Sequence, residues 1–293
     1  MHPWIYDLWR IPVSDPGDVG GLRERLQRNP EWQVLAVMGK TEGNGCVNDF
    51  SRTLAARAYK DLLLDFAAGG STEPLLIMSG GTEGVLSPHV SVFVRRPVRS
   101  DDEPGPALVC GTARTADIPV SDLGRMGQVG AVADATRAAL DSAGISDPAD
   151  VHLVQIKCPL LTDARIHQAL AEGRVPVTED TYLSMAYSRG ASALGVALAL
   201  GEVDAALLDD ARICRDWELF SSVASMSAGA ELTACEVLVL GNSSAAYGPL
   251  RIGHAVMADP VDAAAVRVAM ASAGAAETAR VRQVFAKADP VAV

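Results

Sequence analysis

VHLVQIKCPLLT, Val151–Thr162, opens with an apolar run of strand length that delivers a lysine, Lys157, at its end. The same arrangement occurs three times along the chain, as VLAVMGK ending at Lys40, VHLVQIK ending at Lys157 and VRQVFAK ending at Lys287. A second pattern, Met-Ser-small-Gly-x-Glu, occurs twice, as MSGGTEG from Met78 and MSAGAEL from Met226. The lysines lie 117 and 130 residues apart and the Met-Ser pairs 148 residues apart. Recurrence at such intervals predicts one unit repeated along the chain, with a third copy that stops early.

Outward from these anchors, short aliphatic runs alternate with alanine-rich segments. Val34–Met38, Pro74–Met78, Val90–Val94, Val151–Ile156 and Cys235–Leu240 have the length and bounding residues of buried strands. Arg52–Phe66, Met126–Ala143, Ala191–Leu200 and Val261–Ala273 carry helical periodicity, several of them ending near a glycine. The class is therefore α/β or α+β. Asp101–Pro106 (DDEPGP) and Asp147–Asp150 read as loop punctuation, with cuts expected near residues 100–108 and 245–252.

A chain of 293 residues with 49% hydrophobic and 21% charged side chains can bury a large core. Its net charge of −11 repels phosphate backbones, so nucleic acid is not an expected partner. A few local arginines and lysines can still reverse the field inside a pocket, which leaves anionic small molecules open. Cys46, Cys110, Cys158, Cys214 and Cys235 are odd in number and widely spaced, which predicts neither a disulfide framework nor a zinc site. The start MHPWIYDLWRIPV has no basic region followed by an apolar core, and no apolar run approaches a membrane span. The expectation is a soluble, cytoplasmic protein with no membrane partner.

A lysine at the end of a buried strand loses hydration, which lowers its pKa and lets it take a proton from a neighbouring hydroxyl. A serine followed by small residues and glycine sets its Oγ at a tight turn beside exposed main-chain N–H groups able to hold an oxyanion. Lys40 with Ser79, and Lys157 with Ser227, each supply both halves, pointing to a Ser-Lys nucleophile. Arg52 in NDFSR and Arg189 in MAYSR follow their lysines and could clamp a carbonyl or an anionic heteroatom. Against this stand the plainer readings of a solvated strand-end lysine, a simple Ser-Gly-Gly turn and an exposed helix-start arginine. Glu42 and Glu83 lie beside the candidate residues, either tuning the lysines or serving as loop carboxylates. Ser225 is two residues from Ser227, but alignment of MSAG with MSGG favours Ser227. Cys158 is read as packing, and His89 as a hydrogen-bonding residue.

The segments KTEGNGCVNDFSR (Lys40–Arg52), MSGGTEGVLSPHVSVF (Met78–Phe93), VHLVQIKCPLLT (Val151–Thr162), MAYSRGASALGVALALGE (Met185–Glu202) and ASMSAGAEL (Ala224–Leu232) resemble the cyanuric acid hydrolase and barbiturase family of ring-opening amidohydrolases. The likeness runs from about residue 5 to about residue 288. It implies a pseudo-threefold arrangement of three similar α/β units around a central site, here 1–103, 104–248 and a partial unit at 249–293. It further implies a homotetramer and hydrolysis of a cyclic imide, with cyanuric acid opened to carboxybiuret; the N-terminal segment and KCPLLT look closer to that branch. Barbituric acid opened to ureidomalonate is the alternative, as is an impaired homologue that only binds or assembles. Carried across, Lys40, Arg52, Ser79 and Gly80 match the first unit, and Lys157, Arg189, Ser227 and Ala228 the second. Ser227 would be the nucleophile and Lys157 its base, with Ser79, the Gly80 amide and the two arginines on other ring oxygens. Lys287 belongs to the third unit, whose arginine, serine turn and cation-binding glycine-rich loop have no counterpart, so neither cofactor nor metal is expected here.

Overall fold

The computed structural model describes residues 3–66, 73–81, 87–259, 261–274 and 279–286. Lys287 and Glu83 lie outside the described residues. Strand β1 (Trp4–Pro12), helix α1 (Gly20–Arg28), β2 (Gln33–Lys40), α2 (Phe50–Asp65), β3 (Leu75–Ser79) and β4 (His89–Pro97) come first. They are followed by β5 (Pro104–Asp117), α3 (Met126–Ala143), β6 (Val151–Pro159), α4 (Asp163–Ala171), α5 (Thr181–Leu200), β7 (Ala224–Gly229), β8 (Ala234–Tyr247) and α6 (Ala263–Ser272).

The expected mixed α/β architecture is present. Eight strands form one mixed sheet in the order β3-β2-β4-β1-β8-β6-β7, with β5 also paired to β8. One pairing scheme occurs twice. β2 lies parallel to β3 as β6 does to β7, and β4 runs antiparallel to β2 as β8 does to β6. The outer antiparallel partners are β1 on β4 and β5 on β8. Each parallel pair needs a crossover, which α2 and α5 provide. The two halves of the sheet meet at a single pair, Ile5 beside Tyr247.

Alternation along the strands divides the core. Val90, Val92 and Val94 of β4 pack with Leu22 and Leu26 of α1 and Tyr59 and Leu62 of α2, while Phe93 faces a larger core shared with Val109, Val154 and Leu238. Each such side chain, taken fully out of water, contributes about 1.5–3 kcal/mol. β5 passes so close to α3 that a Cβ on Gly111 would stand 1.9 Å from the Ala139 carbonyl oxygen, which restricts that position to glycine.

Several readings are corrected. Asp101–Pro106 is not all loop, because β5 begins at Pro104. The helix expected from Ala191 begins at Thr181, capped by Asp180 accepting from the N–H groups of Tyr182 and Leu183, so Arg189 is mid-helix and not at a helix start. Ser227 lies within β7 and not on a turn after it. β1, β5, β7, α1 and α4 are not among the elements expected from the sequence. All five cysteines are free, and among the described residues no helix is long and apolar enough to cross a membrane.

After β8 the chain returns along β5, with Leu108 N–H donating to Leu250 O and Asn242 bonding both ways to Ile252. It then brings His254 Nδ1 to 2.9 Å from His152 Nδ1 at the start of β6. That contact works with one shared proton and fails with two. Burial, followed by repulsion from His254, lowers His152, and burial lowers His254; Asp150 and Glu202 oppose these shifts. A histidine whose folded pKa is depressed stabilises the fold above its unfolded pKa, near about 6.5, and loses that contribution as pH falls. The melting temperature is thus expected to drop as pH is lowered below that value, and His254→Asn, which cannot take the proton, to flatten the drop. Thermal unfolding across a pH series checks this.

Candidate active site

Strand register sets each lysine beside a serine. In β2 and β3, Lys40 is level with Ser79, and in β6 and β7, Lys157 is level with Ser227. Parallel strands present both side chains at their carboxyl ends, the usual location of sites in such sheets.

The two pairs differ in environment. Lys40 is exposed and donates from Nζ to Ser79 Oγ at 3.3 Å and to Gly80 O at 3.1 Å. Lys157 is 0% exposed and donates to the Met78 carbonyl of β3, with the Ala228 carbonyl at 3.5 Å. Glu231 Oε1 stands 2.9 Å from its Nζ, an ion-pair distance off the line of a well-aligned hydrogen bond. Burial pushes the Lys157 ammonium below the ordinary lysine range; Glu231 pulls the other way, and the charge of Arg52 adds to the lowering. Ser227 Oγ is buried without a hydrogen-bond partner among the described residues. Leaving a hydroxyl so costs about 1–3 kcal/mol, a cost found where a group is kept for a ligand or a reaction.

The pairs are joined across the halves of the sheet. Lys157 reaches the strand that carries Ser79, and Arg52, 2% exposed at the start of α2, donates to Ala228 O at 2.8 Å. Arg52 also donates to the carbonyls of Cys46 and Asp49, with Asp49 Oδ2 3.7 Å from Nε. Asp49 caps α2, accepting from Ser51 N–H at 3.1 Å and Gly45 N–H at 2.9 Å. Burial opposes its ionised form, yet the bonds from Ser51 and Gly45 and the Arg52 charge outweigh it and hold the carboxyl low. A Cβ on Gly80 would fall 1.8 Å from Asp49 Oδ2, so this turn closes only with glycine.

Lys40, Ser79, Gly80, Arg52, Lys157, Ser227 and Ala228 thus form one connected group. Arg189 is half-buried on α5, donates from Nε to Met185 O at 3.3 Å, and lies near enough to Cys158 and Cys214 to favour their thiolates. Burial nevertheless raises the Cys158 thiol overall, which disfavours it as a nucleophile. His89 makes hydrogen-bonding contacts to Ser87 O and Gln283, and Glu42 is exposed. Asp49 and Glu231 were missed. Glu231 is the repeat equivalent of Glu83 in MSGGTE and MSAGAE, and Asp49 precedes α2 as a capping residue. Among the described residues no group of three or more His, Cys, Asp or Glu side chains could hold a metal ion.

The fold is shared with solved structures. A cyanuric acid hydrolase from A. caulinodans superposes with a TM-score of 0.87 at 49% identity, over 93% of this chain and 77% of that one. A second cyanuric acid hydrolase, described as an evolutionary innovation by structural concatenation, gives 0.88 at 45% identity over the same shares. In sequence, the cyanuric acid amidohydrolase of Rhizobium leguminosarum bv. trifolii is 50% identical over 287 residues, 97% of this chain and 79% of the relative. That of Pseudomonas sp. strain ADP is 47% identical over 294 residues, 97% of this chain and 81% of the relative. Fold, site and relatives together define a hydrolase of cyclic amide C–N bonds. The model of the ring-opening amidohydrolase proteins matches residues 7–293, and the chain belongs to that family.

Proposed function

We propose that the protein opens cyanuric acid to carboxybiuret, with Ser227 as nucleophile and Lys157 as general base. The observation that carries this reading is the contrast within the site: a fully buried lysine with a lowered pKa stands level with a buried serine Oγ that has no hydrogen-bond partner among the described residues. Neutral Lys157 takes the Ser227 proton as Oγ attacks a ring carbonyl carbon. The tetrahedral oxyanion then collapses, the ring C–N bond breaks, and the leaving nitrogen receives that proton from Lys157. Water, deprotonated by the same amine, attacks the resulting ester, releases carboxybiuret and returns the proton to Ser227. The sum is one ring plus one water. A ring of alternating carbonyl and N–H groups is matched by donor sets repeated around it, which supports Ser79, the Gly80 amide, Arg52 and Arg189 as ligands of the other ring edges.

The direct test is loss of the ultraviolet absorbance of cyanuric acid on incubation with purified, folded protein. Turnover of barbituric acid alone would reassign the substrate, and turnover of neither would overturn the reading. Glu231 gives a sharper test. Its carboxylate favours charged Lys157, so Glu231→Gln lets burial lower the lysine further and leaves more of it neutral at a given pH. The acid limb of the kcat/KM profile is expected to move to lower pH, and a move to higher pH would count against Lys157 as the base.

A further inference from the structure

Beyond the Ser-Lys group, one buried side chain ties the elements of the second half together at the level of the site. Gln128, near the start of α3, is 0% exposed. Its Oε1 accepts from the Gly124 main-chain N–H at 2.7 Å, which fixes the amide orientation, because a main-chain N–H can only donate. Nε2 is therefore turned toward α5, where it meets Ser188 O at 3.1 Å, Ser188 Oγ at 2.9 Å and Ser192 Oγ at 3.0 Å.

Ser188 and Ser192 are one helical turn apart on the same face, and both are 0% exposed. Their hydroxyls in turn contact the Cys158 thiol on β6, and Cys158 Sγ donates to Ser227 O at 3.5 Å. A continuous buried polar layer runs from α3 through α5 and β6 to the carbonyl of Ser227. The residue after Ser188 is Arg189, and the residue before Cys158 is Lys157. The layer fixes the rotation of α5 at the turn that carries Arg189. An apolar side chain of similar volume would fill the space without holding that rotation.

We propose that Gln128 is a positioning residue for ring opening, which holds Arg189 on α5 at a set distance from Ser227 on β7. This rests on the reading that Arg189 and Ser227 serve cyclic amide hydrolysis. Misplacement of about 1 Å near a reacting centre costs about 100-fold in rate, so even partial release of α5 is measurable.

The test is a double-mutant cycle between Gln128→Met and Arg189→Ala, read as kcat/KM for cyanuric acid with melting temperatures alongside. In the unaltered background, Gln128→Met is expected to lower kcat/KM about 10-fold or more. In the Arg189→Ala background it is expected to lower it no further. An equal loss in both backgrounds, or a loss under about twofold in the first, overturns the positioning role and assigns Gln128 to general stability. Full turnover by Arg189→Ala alone marks instead a failure of the functional reading of Arg189. Should Gln128→Met not fold, Ser192→Ala cuts one link of the layer with less disturbance and is read through the same cycle.

Discussion

Ser227→Ala is expected to lower turnover of cyanuric acid by about 10⁴- to 10⁶-fold while leaving the fold intact. In the proposed mechanism the rate loss follows from removing the atom that would bond to the substrate, since nothing else at that position could replace it. The stability expectation comes from the same geometry. Ser227 Oγ has no hydrogen-bond partner among the described residues, so its deletion breaks no bond there and relieves a buried, unsatisfied hydroxyl. An unchanged or slightly raised melting temperature, together with lost turnover, is the signature sought. Ser79 is the control, because its Oγ is engaged by Lys40 at 3.3 Å. Ser79→Ala is expected to weaken substrate binding and keep measurable turnover. The reverse ranking of the two variants would move the nucleophile to Ser79.

Lys157→Met is expected to lower turnover by about 10³-fold or more, toward the upper range for a lost general base that also activates the nucleophile. Here stability should fall. Methionine fills the volume, but Glu231, mostly buried, then loses the Nζ that stands 2.9 Å from its carboxylate. Combining Lys157→Met with Glu231→Gln is expected to restore the melting temperature without restoring activity, which separates the structural from the chemical role of the amine. Lys40→Met, at the exposed rim, is expected to cost much less in turnover. Equal losses at both lysines would overturn the assignment of Lys157 as the working base.

The repeated strand ends were legible because recurrence is a property of the sequence itself. Lys40 with Ser79 and Lys157 with Ser227 needed only the assumption that equivalent segments pair in equivalent ways, and the register bears this out. Less legible were elements whose stabilisation comes from distant partners. β1, WIYDLWRIP, mixes charge with aromatics and becomes a strand by pairing along its whole length with β4. β5 begins PGP, a turn signal overridden by its long ladder with β8. The start GGLRERLQR of α1 has two weak helix formers, but Leu22 and Leu26 have a core to enter. The roles of Glu231 and of the Arg52 donation to Ala228 were invisible for the same reason, since the latter joins residues 176 apart in the chain.

That donation and the bond from Lys157 to the Met78 carbonyl run in opposite directions. Each half of the sheet lends a nitrogen donor to the main chain flanking the other's serine, so neither half of the candidate site is complete by itself. Either half standing alone would have to take the missing donor from a neighbouring molecule.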